Sequence, residues 1–249
     1  MEDVLTDAPP PSRFFQEDLD NFATPSPSLP PPFLRLDPNP SNPNLLHPSI
    51  LIVAISTPSL SLIRRIPNKT LIGTLNLPET PPSSKSCNIY AVDGPLSPSI
   101  VVAVRHAVSP ERSRAVAKAL LGEIRADRVL IFDSIKAENY RSRLSSDEAV
   151  GFKLETTAER RGGDPLFRDW EYFPTGSVMG GLGAAILGQC QMTRGRATLC
   201  VTWPENGWSS AAMLLRSVMT DLGLDVDGDE IRGDEETRVP SRFHSEMYV

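Results

Sequence analysis

The sequence predicts an α/β layered fold: a central mixed, largely parallel sheet flanked by helices, with a disordered N-terminal arm and a disordered C-terminal tail. Three observations predict it. The runs Ile50–Ile55, Ile100–Val104, Arg128–Asp133 and Ala197–Trp203 are apolar through their centres without alternating, as strands covered on both faces are. Between the second and third of these runs lies one amphipathic helix on short connections, and a strand, helix and strand in that order imply parallel pairing in a right-handed crossover. Composition also changes sharply at both ends, proline crowding the first and acid the last. These boundaries divide the chain into an arm over 1–48, a single α/β domain over 49–224 and a tail over 225–249.

Residues 1–48 contain half of the chain's 24 prolines, including Pro9-Pro10-Pro11 and Pro30-Pro31-Pro32. Proline lacks the N–H that a helix or a central strand requires, so this stretch reads as an arm. Phe14, Phe15 and Phe33 are its candidates for contact with the domain surface. Order begins at Ile50–Ile55, bounded by Pro48 and Pro58, and Leu60–Ile66 follows as a short helical or extended linker. Thr70–Leu77 and Cys87–Val92 are two further strands joined by the proline-serine loop Pro78–Ser86, a long-looped hairpin.

After Ile100–Val104, Ser109-Pro110 supplies an N-cap and a first-turn proline. The helix that follows has Val116, Ala119, Leu120 and Ile124 on its apolar face, with Arg112, Arg114 and Lys118 expected largely opposite. Arg128–Asp133 completes the crossover. Residues 136–172 are polar and uneven, so they read as a long surface excursion with a turn at Gly162-Gly163-Asp164-Pro165 and a short edge strand at Lys153–Thr156. Pro174–Gly188 reads as a Ser-capped helix of small and apolar residues. Its interior glycines each cost about 1 kcal/mol against alanine, which close approach of the helix backbone to a sheet or a partner helix would offset. Ala197–Trp203 ends at Pro204, Asn206 can cap the next helix, and Trp208–Leu222 places Ala211, Leu214, Leu215, Val218 and Leu222 on one face with Gly223 as C-cap.

Several function classes are poorly served by this composition. Net charge is -6 over 249 residues, and nucleic-acid binding needs clustered cations. The three cysteines, Cys87, Cys190 and Cys200, have no zinc or redox spacing and read as reduced, buried thiols. Acidic residues from Glu2 to Asp20 exclude a secretory signal and argue against a transit peptide. No uncharged apolar run reaches the roughly 18 residues of a membrane span. The expected location is therefore cytoplasmic, extending to the nucleus, with no nucleic acid, membrane or cofactor as partner.

Candidate chemistry is thin. The glycines of Gly180-Gly181-Leu182-Gly183 miss the G-x-G-x-x-G pattern because Ile186 stands where the third glycine belongs. Ser209, in Gly207-Trp208-Ser209-Ser210-Ala211, departs from G-x-S-x-G at its last position; with His106 and Asp133, each following or ending a strand, it could form a hydrolase cluster at the carboxyl edge of the sheet. The run from Asp225 to Glu236 has Glu230 where a calcium loop needs glycine, and so reads as a solvated spacer. Beyond it the chain ends in Met247-Tyr248-Val249: an apolar side chain, an aromatic hydroxyl and a carboxylate. Another protein can capture such a terminus.

Pro174-Thr175-Gly176-Ser177-Val178, Gly188-Gln189-Cys190-Gln191-Met192, Thr198–Pro204 and the terminal Met247-Tyr248-Val249 together resemble a plant-type member of the proteasome assembly chaperone 1 family. The resemblance implies a noncatalytic α/β chaperone domain that forms a heterodimer with proteasome assembly chaperone 2 and sits on the α-subunit ring of the 20S core particle. It implies that Met247, Tyr248 and Val249 form a hydrophobic-Tyr-X (HbYX) motif entering a pocket between α subunits, with the Val249 carboxylate paired to a lysine there. Two other readings stay open. Met247 and Val249 also fit an apolar-x-apolar carboxyl terminus read by a PDZ-type domain, and Ser209 keeps the α/β hydrolase reading alive.

Overall fold

The computed structural model of the chain describes residues 29–36, 46–78, 87–92, 98–136, 139–140, 149–162, 167, 169–203, 208–224 and 226. Its contacts separate Met1–Pro30 from Pro31–Val249, and every element below belongs to the second unit. Among the described residues nine strands form one sheet in the order β1-β3-β4-β5-β2-β6-β9-β7-β8. They are β1 Phe33–Leu36, β2 Ile50–Ala54, β3 Lys69–Asn76, β4 Cys87–Val92, β5 Ser99–Ala103, β6 Arg128–Ser134, β7 Val150–Glu155, β8 Glu171–Tyr172 and β9 Arg196–Trp203. Five helices accompany them among the described residues: α1 Thr57–Arg64, α2 Pro110–Glu123, α3 Thr157–Arg161, α4 Gly181–Met192 and α5 Trp208–Asp221.

The mixed sheet follows from the chain's two kinds of strand. The unalternating runs β5, β2, β6 and β9 pair in parallel at the centre, while the hairpin strands β3 and β4 and the late strand β7 add antiparallel pairs outward. The expected crossover from β5 through α2 to β6 is present, but the two strands are not neighbours. β2 is hydrogen-bonded between them, Ile52 standing opposite both Val101 and Leu130. A buried strand needs partners on both edges, and β2 finds them in two strands made later in the chain.

Alternation along each strand sends side chains to two cores. Leu51, Val53, Ile100, Val102, Val129, Ile131, Leu199 and Val201 face α2 and α4, with Val116, Leu120, Leu182 and Ile186 packed on them. Ile50, Ile52, Val101, Leu130, Phe132 and Cys200 face α1 and α5, with Leu62, Ile63, Leu215, Val218 and Met219. Gly223, at φ 68°, turns its N–H to the Thr220 carbonyl while the Leu224 N–H reaches Met219, so α5 ends as its sequence predicts.

Several expectations are corrected. Pro58 does not merely stop β2; it lies in the first turn of α1, where a missing N–H costs nothing. Arg112 is buried rather than opposite the apolar face, because 112, 116 and 120 are successive i+4 positions of one stripe. On α5 the buried stripe takes in Ala212 and Met219, while Leu214 is half-buried. In the supposed excursion over 136–172 the strand expected at Lys153–Thr156 is β7, which lies between β9 and β8 rather than at the edge; α3 and β8 were not expected, and Phe152, Lys153, Glu155 and Glu159 are all buried. Strand β1 was not expected either. It occupies the sheet edge against β3, the one kind of sheet position that a proline-flanked segment can take. Asn206, Gly163-Asp164-Pro165, Phe14, Phe15 and the loop 79–86 lie outside the described residues.

Candidate functional site

The residues proposed for chemistry do not assemble. Ser209 is in the first turn of α5, on one side of the sheet. Asp133 in β6 points to the other side, where its Oδ2 lies 2.6 Å from the position a Cβ would take on Gly183 of α4. His106 follows β5, and β2 separates β5 from β6, two strand spacings or roughly 10 Å. The backbone of Arg105 and His106 is instead hydrogen-bonded to the Cys87 thiol.

The carboxyl edge on the α4 side is filled by protein. Tyr140 stacks on Trp203 with ring centroids 5.3 Å apart and meets Phe152 at 5.6 Å, and Phe152 meets Phe173 edge-on. The expected helix from Pro174 does not form there. Pro174 to Ser177 make a turn with Gly176 at φ 88°, Val178 donates to the Asn139 carbonyl, and α4 begins only at Gly181 with φ 69°. Gly180, rather than Ser177, is the N-cap. The Asp133 carboxylate lies against Gly183 in the first turn of α4, its Oδ2 in the space that a side chain there would need. Close packing of Gly183 on β6 and Leu199 of β9 is thus the offset its helix-breaking tendency requires.

At the opposite edge, where β6 and β9 begin, Glu159 of α3 lies between two guanidinium groups. It accepts from Arg128 and, at 3.1 Å, from Nε of Arg196. Thr156 caps this short helix, its Oγ1 accepting from the Glu159 N–H at 3.3 Å and from Ala197 N–H at 3.1 Å. Beside the triad, a cleft of about 410 Å³ opens between α2 and α4. Leu121, Ile124 and Val129 give it an apolar wall, while Lys118, Arg125 and Arg196 make it basic.

A second polar cluster sits on β7 and β8. Lys153 Nζ is 3.6 Å from Glu155 and donates to the Phe167 carbonyl at 2.8 Å, and the exposed Tyr172 donates its hydroxyl to Glu155 at 2.7 Å. That bond, more than anything else, raises the Tyr172 pKa above its ordinary value. Lys153 and Arg160 lie over the Tyr172 ring, 5.1 and 5.9 Å from its centroid, within cation–π range. Sequence reasoning missed both clusters; the alternation of Phe152 and Leu154 with Lys153 and Glu155 was the available signal.

The three thiols are free and buried, as expected. Burial pushes Cys190 up to about 11 and Cys200 well above its ordinary range, which leaves neither poised as a nucleophile. Among the described residues no group of three His, Cys, Asp or Glu could hold a metal ion, and no helix is long and apolar enough to cross a membrane. Met247, Tyr248 and Val249 lie outside the described residues.

No family model matches the sequence, and no curated protein matches it. Solved structures do share its fold. The crystal structure of Pyrococcus furiosus PbaA, an archaeal homolog of proteasome-assembly chaperone, is similar with a TM-score of 0.56 at 14% identity, over 81% of this chain and 90% of that one. Pyrococcus furiosus PbaB, an archaeal proteasome activator, gives 0.56 at 14% over 79% and 91%. A Corynebacterium glutamicum protein of unknown function gives 0.57 at 12% over 78% and 83%. At these identities what the chain shares with them is the fold alone.

Proposed function

We propose that this protein is a proteasome assembly chaperone. In this reading it forms a heterodimer with proteasome assembly chaperone 2, binds the α-subunit ring of the 20S core particle, and inserts Met247-Tyr248-Val249 into a pocket between α subunits. The observation that carries the reading is the fold shared with PbaA over 81% of the chain, a likeness that joins the sequence resemblance to the same class of protein. The separation of Ser209 from Asp133 by the thickness of the sheet favours a binding role over hydrolysis.

The tail supplies the contact chemistry. Met247 gives apolar area, Tyr248 a ring and hydroxyl, and Val249 a carboxylate for a lysine. Three residues alone bind weakly, because little area is buried and ordering a leash costs entropy. A second chaperone subunit on the same ring raises the effective concentration and makes the attachment firm. The test is co-purification with α-ring intermediates. Tyr248→Ala and deletion of residues 247–249 should each reduce recovery at least tenfold while leaving the heterodimer intact. Unchanged recovery overturns tail insertion, and loss on Met247→Ala but not on Tyr248→Ala favours a PDZ-type reader of the last and third-last side chains.

A further inference from the structure

Among the described residues, one end of the sheet gathers most of the helix C-termini and many of the arginines. α1, α2, α4 and α5 each connect to the parallel strands so that they return to the end where β2, β6 and β9 begin. Arg64 and Arg65 close α1, Arg125 and Arg128 join α2 to β6, and Arg194 and Arg196 join α4 to β9. β7 runs antiparallel to β9 and brings α3, with Arg160 and Arg161, to the same end. The carboxylates there are Glu123, Asp127, Glu155, Glu159 and Asp221, so arginines outnumber them eight to five on a chain whose net charge is -6. Four helix C-termini, each worth about half a negative charge, offset part of the surplus but not all of it.

The acidic run of the chain starts at this same end. After Gly223 closes α5, the Val226 side chain packs on the α1 and α5 core and its carbonyl accepts from Arg216 at 3.4 Å. From Asp225 to Glu236 the sequence then has seven carboxylates against the single Arg232. On the other side of the sheet, still at this end, lies the cleft with Lys118, Arg125 and Arg196 on its lining and no carboxylate.

We propose that residues 227–236 fold back in cis on the arginine-rich end of their own chain, running from Val226 past the starts of β6 and β9 to the cleft between α2 and α4. The length suffices. Ten extended residues reach roughly 33 Å, against roughly 20 Å between two helix layers on either side of a sheet. Opposite charge holds the contact, so it belongs to low ionic strength. Docking shortens the leash that carries Met247-Tyr248-Val249: counted from Glu236 it reaches roughly 35 Å, and counted from Val226 roughly 70 Å. The tripeptide would be kept close to the body until a stronger acidic or ionic competitor releases the segment.

The test uses the full chain, isotope-labelled, with a nitroxide on Gly233→Cys; the native thiols are buried and escape labelling. At about 0.1 M salt the backbone amides of Arg125, Ala126, Arg194 and Arg196 should be broadened, and at about 1 M, where the Debye length falls from about 10 to about 3 Å, they should recover. A variant carrying Asp234→Asn, Glu235→Gln and Glu236→Gln should show at least a fivefold weaker effect at the lower salt. Absence of broadening there, or broadening that the neutralised variant keeps, overturns the proposal. So does broadening that appears only when labelled and spin-labelled chains are mixed, since the contact is then between copies. Tyr248→Ala should leave this readout unchanged, so failure of the cis contact and failure of tail insertion are separate results.

Discussion

Two glycines of one helix show how a single residue type can have opposite consequences. A Cβ on Gly183 would stand 2.6 Å from Asp133 Oδ2 and 3.2 Å from Leu199, whereas one on Gly188 meets nothing within 4 Å. Gly188→Ala should therefore stabilise the fold by up to about 1 kcal/mol through helix propensity. Gly183→Ala should destabilise it by about 1–3 kcal/mol through overpacking, despite the same propensity gain; urea denaturation of both variants checks the opposite signs. Glu159 presents the charged counterpart. Its side chain is 2% exposed between Arg128 and Arg196, and Glu159→Ala should cost about 3–5 kcal/mol because Arg128 is left buried beside an uncompensated site. A shift of the denaturation midpoint by a small fraction of that would mean that water replaces the carboxylate. The glycines were legible in the sequence as a packing problem, since their helical cost needed an offset. Which of them touches the sheet was not, because Asp133 and Gly183 are fifty residues apart in sequence.

At the scale of elements, the legible ones share a simple physical cause. β2, β5, β6 and β9 are covered on both faces by helices, so their sequences are continuously apolar and their type follows from composition alone. β7 was legible only as a short edge strand over Lys153–Thr156, and α3 not at all, because they bury charge: Lys153, Glu155 and Glu159 read as surface residues until Tyr172, the Phe167 carbonyl, Arg128 and Arg196 are placed beside them. The thiols of α4 and β9 give these elements a pH dependence. Folding raises the pKa of Cys190 from 9.0 to about 11, so the unfolded chain loses its proton first. Stability is then unaffected well below pH 9 and falls as pH rises from 9 towards 11, by on the order of 2 kcal/mol for this thiol. Denaturant melts of Cys190→Ala should show a shallower loss over that window than those of the parent protein. An equal slope would assign the alkaline loss to other groups.

The whole molecule is organised by its two sheet ends. Aromatic packing and the Asp133 carboxylate fill the carboxyl end on the α4 side, while the opposite end gathers arginines, helix C-termini, the cleft and the exit of the chain towards Met247. Release of the tail should then depend on salt, so recovery of α-ring intermediates should respond to neutralising Asp234, Glu235 and Glu236. If tail insertion is limited by the docked segment, that variant captures α-ring intermediates faster at about 0.1 M salt and at the same rate as the parent at about 1 M, where screening removes the difference. A pull-down time course at both salts checks it.

By itself the sequence determined the α/β class, the buried central strands, the β3–β4 hairpin, the C-terminal stop of α5 and the reduced thiols. These depend on local periodicity, on capping and on composition, which any window of the chain displays. Only the tertiary structure decided that β2 lies between β5 and β6, that Gly183 rather than Gly188 meets the sheet, that Ser209 and Asp133 are on opposite sides, and that eight arginines share one end. Those are facts of long-range pairing. Each depends on which distant segment satisfies a strand edge or a buried charge, and no local pattern in the sequence states its partner.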